Sequence, residues 1–234
     1  MENKDLKYLK ERVYEELKRG MYSEFLEPHE VKTIIPFLNK MKIKYQIFHI
    51  FPDCEKVILF NDQKPHLTCY QILSKKVFRH QDVLGSIFSY QVNKNVFGDI
   101  VKIEDSYYII ILTSLRKYFE SFFTMIGKHK IALKEVPLDT VSHYSYQFTE
   151  IKIIVPSMRV DLVLAKLLNT SRKVIFDKLS DGEVYKNYEV VKQKSCKFKE
   201  GDIFSVRKFG KYQIDKVEGI TKKGNQIVII KKYC

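Results

Sequence analysis

The sequence has no tryptophan, and only six prolines, nine glycines and four cysteines in 234 residues. Such low Pro and Gly excludes collagen-like and low-complexity chains, and 45% hydrophobic residues exclude an intrinsically disordered one. No apolar run approaches the roughly 18 residues that a membrane span needs. The longest candidate, residues 107–112, is strand-sized. Residues 1–10 are charged and lack an apolar centre, which argues against a secretory signal and for a cytoplasmic protein. Cys54, Cys69, Cys196 and Cys234 form no C-x-x-C pair, and the six histidines are dispersed. Neither a metal site, a cofactor site nor a structural disulfide is expected from them.

Negative charge is also scarce. Asp and Glu number 28 against 41 Lys and Arg, a net of +13. The excess is uneven: residues 1–150 hold 22 basic and 19 acidic side chains, and residues 151–234 hold 19 and 9, a net of +10. A positive field confined to one third of a folded chain points to a polyanion, nucleic acid before an anionic membrane surface.

The order of elements is legible in the apolar spacing. Leu6, Leu9, Val13 and Leu17 mark one face of a helix that Gly20 ends. A second helix starts near Pro28, buries Val31, Ile34, Ile35, Leu38 and Met41, and is expected to kink or restart at Pro36. Strands are expected at residues 45–51 and 56–60. From His66 the pattern is a strand (67–73), a helix (81–90), two strands (99–103 and 107–112), a helix (114–126) and a strand (130–136). This β-α-β-β-α-β order is the ferredoxin-like motif that RNA-recognition domains also use. The third strand lacks the Gly and spaced aromatics of a base-stacking signature, so Tyr107 and Tyr108 read as a core and a surface aromatic. Residues 137–150 are a polar connection, where the charge balance also shifts. The expected architecture is α+β: a helical and α+β subdomain (1–65), a ferredoxin-like subdomain (66–137), a linker (138–156) and a small basic α+β module with a C-terminal hairpin (157–234).

In that module Val160, Val163, Leu164, Leu167 and Leu168 follow helical spacing, Asn169-Thr170 is a turn, and Ser171 caps the next helix. The cap leaves Arg172 and Lys173 in the first turn, where they oppose the helix dipole at a cost of roughly 0.3–1 kcal/mol each. Free backbone N–H groups and two cations at a helix start suit a phosphate. Removing both cations is therefore expected to leave stability unchanged or slightly higher. Gly182 ends this helix, and short strands follow at 183–185, 190–191 and 203–207, with residues 200–202 as a turn.

Arg159-x-Asp161, Ser171-Arg172, Leu179-x-x-Gly182-x-Val184, Asn187 and Gly201-Asp202-Ile203 together resemble the alpha-L RNA-binding motif of ribosomal protein S-four. That motif also occurs in pseudouridine synthases, tyrosyl-tRNA synthetases and the Hsp-fifteen heat-shock protein. One departure is Tyr188, where the motif has Gly after Asn, which implies a changed hairpin turn. Phe25-Leu26-Glu27-Pro28-His29-Glu30, His80-Gln81-Asp82-Val83-Leu84-Gly85, Gly98-Asp99-Ile100 and Thr221-Lys222-Lys223-Gly224 are similar to the YlmH family. Glu27 stands where that family has Asp, and Gln81 where it has Arg. The resemblance implies RNA binding, with rRNA or tRNA on the large ribosomal subunit as partner. Its members have been given roles in ribosome-associated quality control and in cell division.

Candidate RNA contacts are Arg159, Ser171, Arg172, Lys173, Lys186, Asn187, Lys192, Lys194, Lys197, Arg207, Lys208 and Lys211. Arg159, Arg172 and Lys173 lead, because motif and helix-end geometry agree there and Arg suits bidentate phosphate contacts. Phe209 and Tyr212 are possible stacking partners. No phosphate loop, nucleophile elbow or dinucleotide turn occurs, nor do the class I synthetase signatures. Arg159-Val160-Asp161 mimics the start of the pseudouridine synthase stretch, but apolar helix follows it, so Asp161 reads as a helix-start residue and not a nucleophile. His80 and Asp82 are two apart at a helix start and face apart. The reading is a non-catalytic RNA-binding protein. An RNA-modifying enzyme with its site in the α/β part, or a cell-division adaptor, are the alternatives, and the N-terminal half offers a surface for RNA or protein.

Overall fold

A computed structural model describes residues 4–233. Met1 to Asn3 of the charged N-terminal segment, and Cys234, lie outside the described residues. The chain divides into two compact units, residues 1–145 and 146–234. Both mix α and β structure, as expected.

The first unit opens with α1 (Lys4–Lys18) and α2 (Pro28–Lys40), whose apolar faces meet through Leu9, Val13, Leu17, Ile34 and Leu38. Pro36 neither ends nor restarts α2. The ring forfeits one backbone bond, and the buried residues on either side, Ile34 and Leu38, hold the helix through it. β1 (Gln46–Phe48) and β2 (Ile58–Phe60) form a small antiparallel pair.

Next come β3 (Leu67–Leu73), α3 (His80–Ser89), a 3₁₀ turn (Lys94–Val96), β4 (Val101–Ile103) and β5 (Ser106–Leu112). A 3₁₀ turn (Thr113–Leu115) leads into α4 (Arg116–Phe122), and a hairpin of β6 (Met125–Ile126) and β7 (His129–Lys130) precedes β8 (Ala132–Val136). The four main strands pair antiparallel in the order β4-β5-β3-β8, with α3 and α4 on the core of Tyr70, Ile72, Ile109 and Ile111.

The single helix expected over residues 114–126 is shorter. Phe123 leaves helical geometry (ψ 71°), and Gly127, at φ 58°, supplies the left-handed residue that a two-residue turn between Ile126 and His129 requires. Tyr107 and Tyr108 are both buried, at 4% and 9% exposed, so neither is a surface aromatic. The connection expected at 138–156 is largely structured. It holds the short α5 (Asp139–Ser142) and then β9 (Phe148–Val155), which belongs to the second unit. β9 escapes the pattern reading because it is an edge strand: Thr149, Glu150 and Lys152 interrupt its apolar residues.

The second unit continues with α6 (Val160–Leu167), α7 (Arg172–Ser180), β10 (Val184–Lys186), β11 (Glu189–Val190), β12 (Ile203–Val206), β13 (Gly210–Ile220) and β14 (Gln226–Tyr233). The sheet is antiparallel in the order β11-β10-β12-β13-β14-β9. α6 and α7 cover one face through Val160, Val163, Leu164, Ile175 and Leu179, against Phe204, Ile214, Val228 and Ile230.

The turn between β10 and β11 keeps its two-residue length. Asn187 and Tyr188 take φ of 49° and 70°, so the change from Gly is carried as left-handed backbone at Tyr188 instead of a different turn. Among the described residues no helix is long and apolar enough to cross a membrane, and Cys54, Cys69 and Cys196 are free thiols.

Candidate nucleic-acid interface

Three chain segments meet at the start of α6. Val160 N–H donates to the Cys196 carbonyl and Phe198 N–H to the Met158 carbonyl, both at 2.8 Å, which lays the 196–198 segment beside Arg159. The short turn at Asn169 (φ 48°) returns the chain so that α7 begins next to α6, with the Ser171 hydroxyl accepting from Val174 N–H at 3.3 Å. Ser171 is thus occupied as the expected cap.

Between the two helix starts sits Asp161, its side chain 3% exposed. Arg159 donates to both carboxylate oxygens at 3.1 Å, and Arg172 donates through Nε (3.1 Å) and Nη2 (2.5 Å) to Oδ2. Burial alone would raise the Asp161 pKa. The two guanidiniums outweigh it and hold the carboxyl below the usual range. This corrects the expected stability effect: Arg172 neutralises a buried carboxylate, so its removal destabilises, whatever the dipole gains. The clamp also fixes two guanidiniums side by side. Arg172 remains 58% exposed and Arg159 35%, so their outer N–H edges face solvent.

Further cations join this pair. Lys173 is exposed on the first turn of α7, and Lys197 is bridged through its backbone to Arg159. Lys194 lies 5.4 Å over the ring of Phe176, which is 48% exposed on the same helix. Arg159 and Arg172 thus share Asp161, Lys173 follows Arg172 on α7, Lys194 reaches α7 at Phe176, and the Lys197 backbone lies beside Arg159. Lys192 is exposed on the segment after β11.

The remaining candidates lie elsewhere. Lys186 Nζ pairs with the buried Asp202 at 2.8 Å, and Asn187 Nδ2 donates to the same carboxylate at 2.7 Å. Asn187 Oδ1 accepts from Ile203 N–H, so both side chains lock the hairpin and are not presented to a ligand. Arg207 and Lys208 sit at the β12–β13 turn, beside the far end of α7, where Lys178 lies 5.2 Å over Phe209. That is about 9 Å along the helix axis from Arg172. Lys211 is held between the rings of Tyr188 and Tyr233, 5.0 Å from each. Tyr212 points inward, 4% exposed and stacked on Phe204 at 5.3 Å, which removes it as a stacking partner for a base.

In the first unit, two of the YlmH-like motifs, residues 25–30 and 98–100, meet in a polar network. Asn95 Nδ2 donates to the Phe25 carbonyl and to Glu30, and Lys94 Nζ lies 2.7 Å from Glu27 and 3.2 Å from Glu30. Lys56 Nζ donates to the Lys94 and Phe97 carbonyls, and Asp99 accepts from Glu55 N–H and Lys56 N–H. Burial lowers the Lys56 pKa to about 8 and raises that of Asp99 to about 6. Gly98 is closely packed: a Cβ there would lie 2.7 Å from Ile50 Cδ1 and 3.0 Å from Phe25 Cε1, so those side chains would have to shift. Glu27, His29 and Glu30 bring three metal-ligating atoms together, but the Lys94 ammonium already occupies the cation position between the carboxylates. Glu27, in place of the family's Asp, still reaches Lys94.

Residues 70–140 match the family model described as "Putative RNA-binding domain in YlmH". Over those residues the chain is similar to that family's domain. The Ribosome-associated protein quality control protein P2 of Bacillus subtilis (strain 168) is 29% identical over 144 residues, 62% of this chain and 56% of that relative. The chain thus spans little more than half of that relative's length. Cell division protein ylmH from Streptococcus pneumoniae superposes with a TM-score of 0.48 at 18% identity, over 61% of this chain and 97% of that one. The matched residues run from within β3 through β8 and include the His80–Gly85 motif, where the Asp82 carboxylate accepts from Arg79 N–H at 3.1 Å and from its guanidinium at 2.8 Å. Asp82 is therefore a capping residue, as its place at a helix start suggests.

Proposed function

We propose that this chain is a non-catalytic RNA-binding protein that grips structured rRNA or tRNA on the large ribosomal subunit, in a quality-control role like that named for its Bacillus subtilis relative. In this reading the second unit is an alpha-L module, and residues 66–137 form a ferredoxin-like subdomain with the strand order 4-1-3-2, preceded by a separate subdomain over residues 1–65. The carrying observation is the Arg159–Asp161–Arg172 clamp: a buried carboxylate aims two guanidinium edges outward at two helix starts, with Lys173, Lys194 and Lys197 around them. Fixed guanidiniums and free helix N–H groups recognise phosphate by shape and charge, without reading bases. The same geometry argues against catalysis at Asp161, because both carboxylate oxygens are occupied.

The test is filter binding of the full chain to transfer RNA across a salt series. Affinity should fall with a log–log slope of roughly −0.7 to −0.9 per phosphate neutralised. The triple variant Lys173→Ala, Lys194→Ala, Lys197→Ala should bind more weakly with a slope shallower by about 2. Wild-type affinity with an unchanged slope would refute this assignment.

A further inference from the structure

RNA-recognition domains of this strand order read bases across one open sheet face. The YlmH-type domain here has none. Side chains alternate between faces along a strand, yet Tyr107 to Leu112 are all buried, as are Thr68, Cys69 and Tyr70. Both faces of the central strands are closed.

The domain's charged concave surface lies at the end of the sheet. Two adjoining hollows of about 710 and 590 Å³ share Lys76, Phe78 and His129. Lys75 and Lys130 line the first, Arg79 and Lys128 the second, and all five cations are exposed. They outnumber the two lining carboxylates, Asp105 and Asp82, of which Asp82 is paired to Arg79. Phe78 and the His129 ring, 6.0 Å apart, are part of the lining, and Lys76 Nζ is 3.1 Å from His129 Nε2. Gly85 lines the second hollow, and nothing lies within 4 Å of where a Cβ would stand there, so a ligand can approach the α3 backbone. The hairpin side is anchored by Gly127 N–H donating to the Ser86 hydroxyl at 3.1 Å.

We infer that this groove, between the β3–α3 connection and the β6–β7 hairpin, is a second RNA site that takes a ribose-phosphate backbone through Lys75, Lys76, Lys128 and Lys130. Charge complementarity selects the occupant. Cations lining an open groove with few exposed aromatics neutralise phosphates and leave base identity unread. The inference rests on the RNA-binding reading above and assigns it a second contact surface, in the other unit.

The test uses the full chain and two probes, unfractionated transfer RNA and a single-stranded uridine 20-mer. Changing Lys75, Lys76, Lys128 and Lys130 to Glu should weaken transfer RNA binding at least tenfold. The equivalent change at Lys7, Lys32, Lys40 and Lys44, exposed lysines away from the groove, should weaken it less than threefold and so measures the effect of net charge alone. Photocrosslinking to 4-thiouridine-substituted transfer RNA should label peptides covering residues 74–79 and 127–131. The single-stranded probe should respond to the groove variant in the same direction, since the backbone is what is held. Equal losses in the groove and control variants, with no crosslink in either segment, would overturn the groove. A loss confined to the Lys173, Lys194 and Lys197 variant would also overturn it and leave the RNA-binding reading standing. No loss in any variant would remove both. Capture of an acidic protein segment by the groove without RNA binding there would overturn the assignment in favour of a protein partner.

Discussion

Replacing Arg172 with Ala removes the Nε and Nη2 donors from Asp161 Oδ2 and leaves Arg159 donating to each oxygen. Breaking a fully buried ion pair costs about 3–5 kcal/mol. Here the surviving guanidinium still neutralises the carboxylate, and the lost side chain is 58% exposed, so solvent screens much of its attraction. The expected loss is about 1–2 kcal/mol, because exposure brings it to the lower end of the roughly 1.5–3 kcal/mol of a hydrogen bond to a charged group. Lys173→Ala, at an exposed neighbour with no buried partner, should stay within about 0.5 kcal/mol.

The effect carries a pH signature. The folded pKa of Asp161 lies below its unfolded value, so its stabilisation is complete above the unfolded pKa and is lost as pH falls through the folded one. The gap between wild type and Arg172→Ala should therefore be full at pH 7 and close at pH values below about 4, near the unfolded carboxylate pKa. Asp161→Asn should remove that acid-dependent increment. Urea melts followed by circular dichroism read the global change, and hydrogen exchange of peptides from α6 and α7 locates it. Unchanged melting and unchanged α6 protection in Arg172→Ala would show that the clamp contributes nothing in solution.

Leu164→Ala, at a fully buried position in the second unit, should cost about 2–5 kcal/mol in urea melts and weaken RNA binding only through unfolding. Gly98→Ala forces a methyl against Ile50 and Phe25, and should lose about 1–3 kcal/mol; a neutral result would show that these side chains give way freely. Native maleimide labelling at pH 8 should spare Cys54 and Cys69, both buried, with burial pushing the Cys69 thiol up to about 12, and should reach Cys196; mass mapping of the labelled peptides decides it.

Much of the first unit was readable because its strands and helices are separated by strong apolar periods. β3 matches its sequence span to the residue. Where the reading failed, the missing information was tertiary. Ile151 to Val155 is only a short, largely β-branched run, and the full span of β9, Phe148 to Val155, is set by its pairing with β14. Asp161 looked like a favourable helix-start charge; its buried role depends on Arg172, eleven residues on, being returned to it by the α6–α7 turn. Lys186 and Asn187 looked like ligands for the same reason, because Asp202 that consumes them is distant in sequence. Tyr107 and Tyr108 follow each other on a strand, and only the closure of both sheet faces puts both in the interior.

The placement of β14 also bears on how the protein is made. It is threaded between β13 and β9, so β9, though synthesised some eighty residues earlier, has no other strand to pair with in its sheet until residues 226–233 arrive. The first unit has all its strands long before that. During synthesis residues 1–145 are thus able to fold while the basic unit is still open. Its cationic strands and uncovered apolar core would be exposed beside ribosomal RNA during the interval in which this unit first finds its shape.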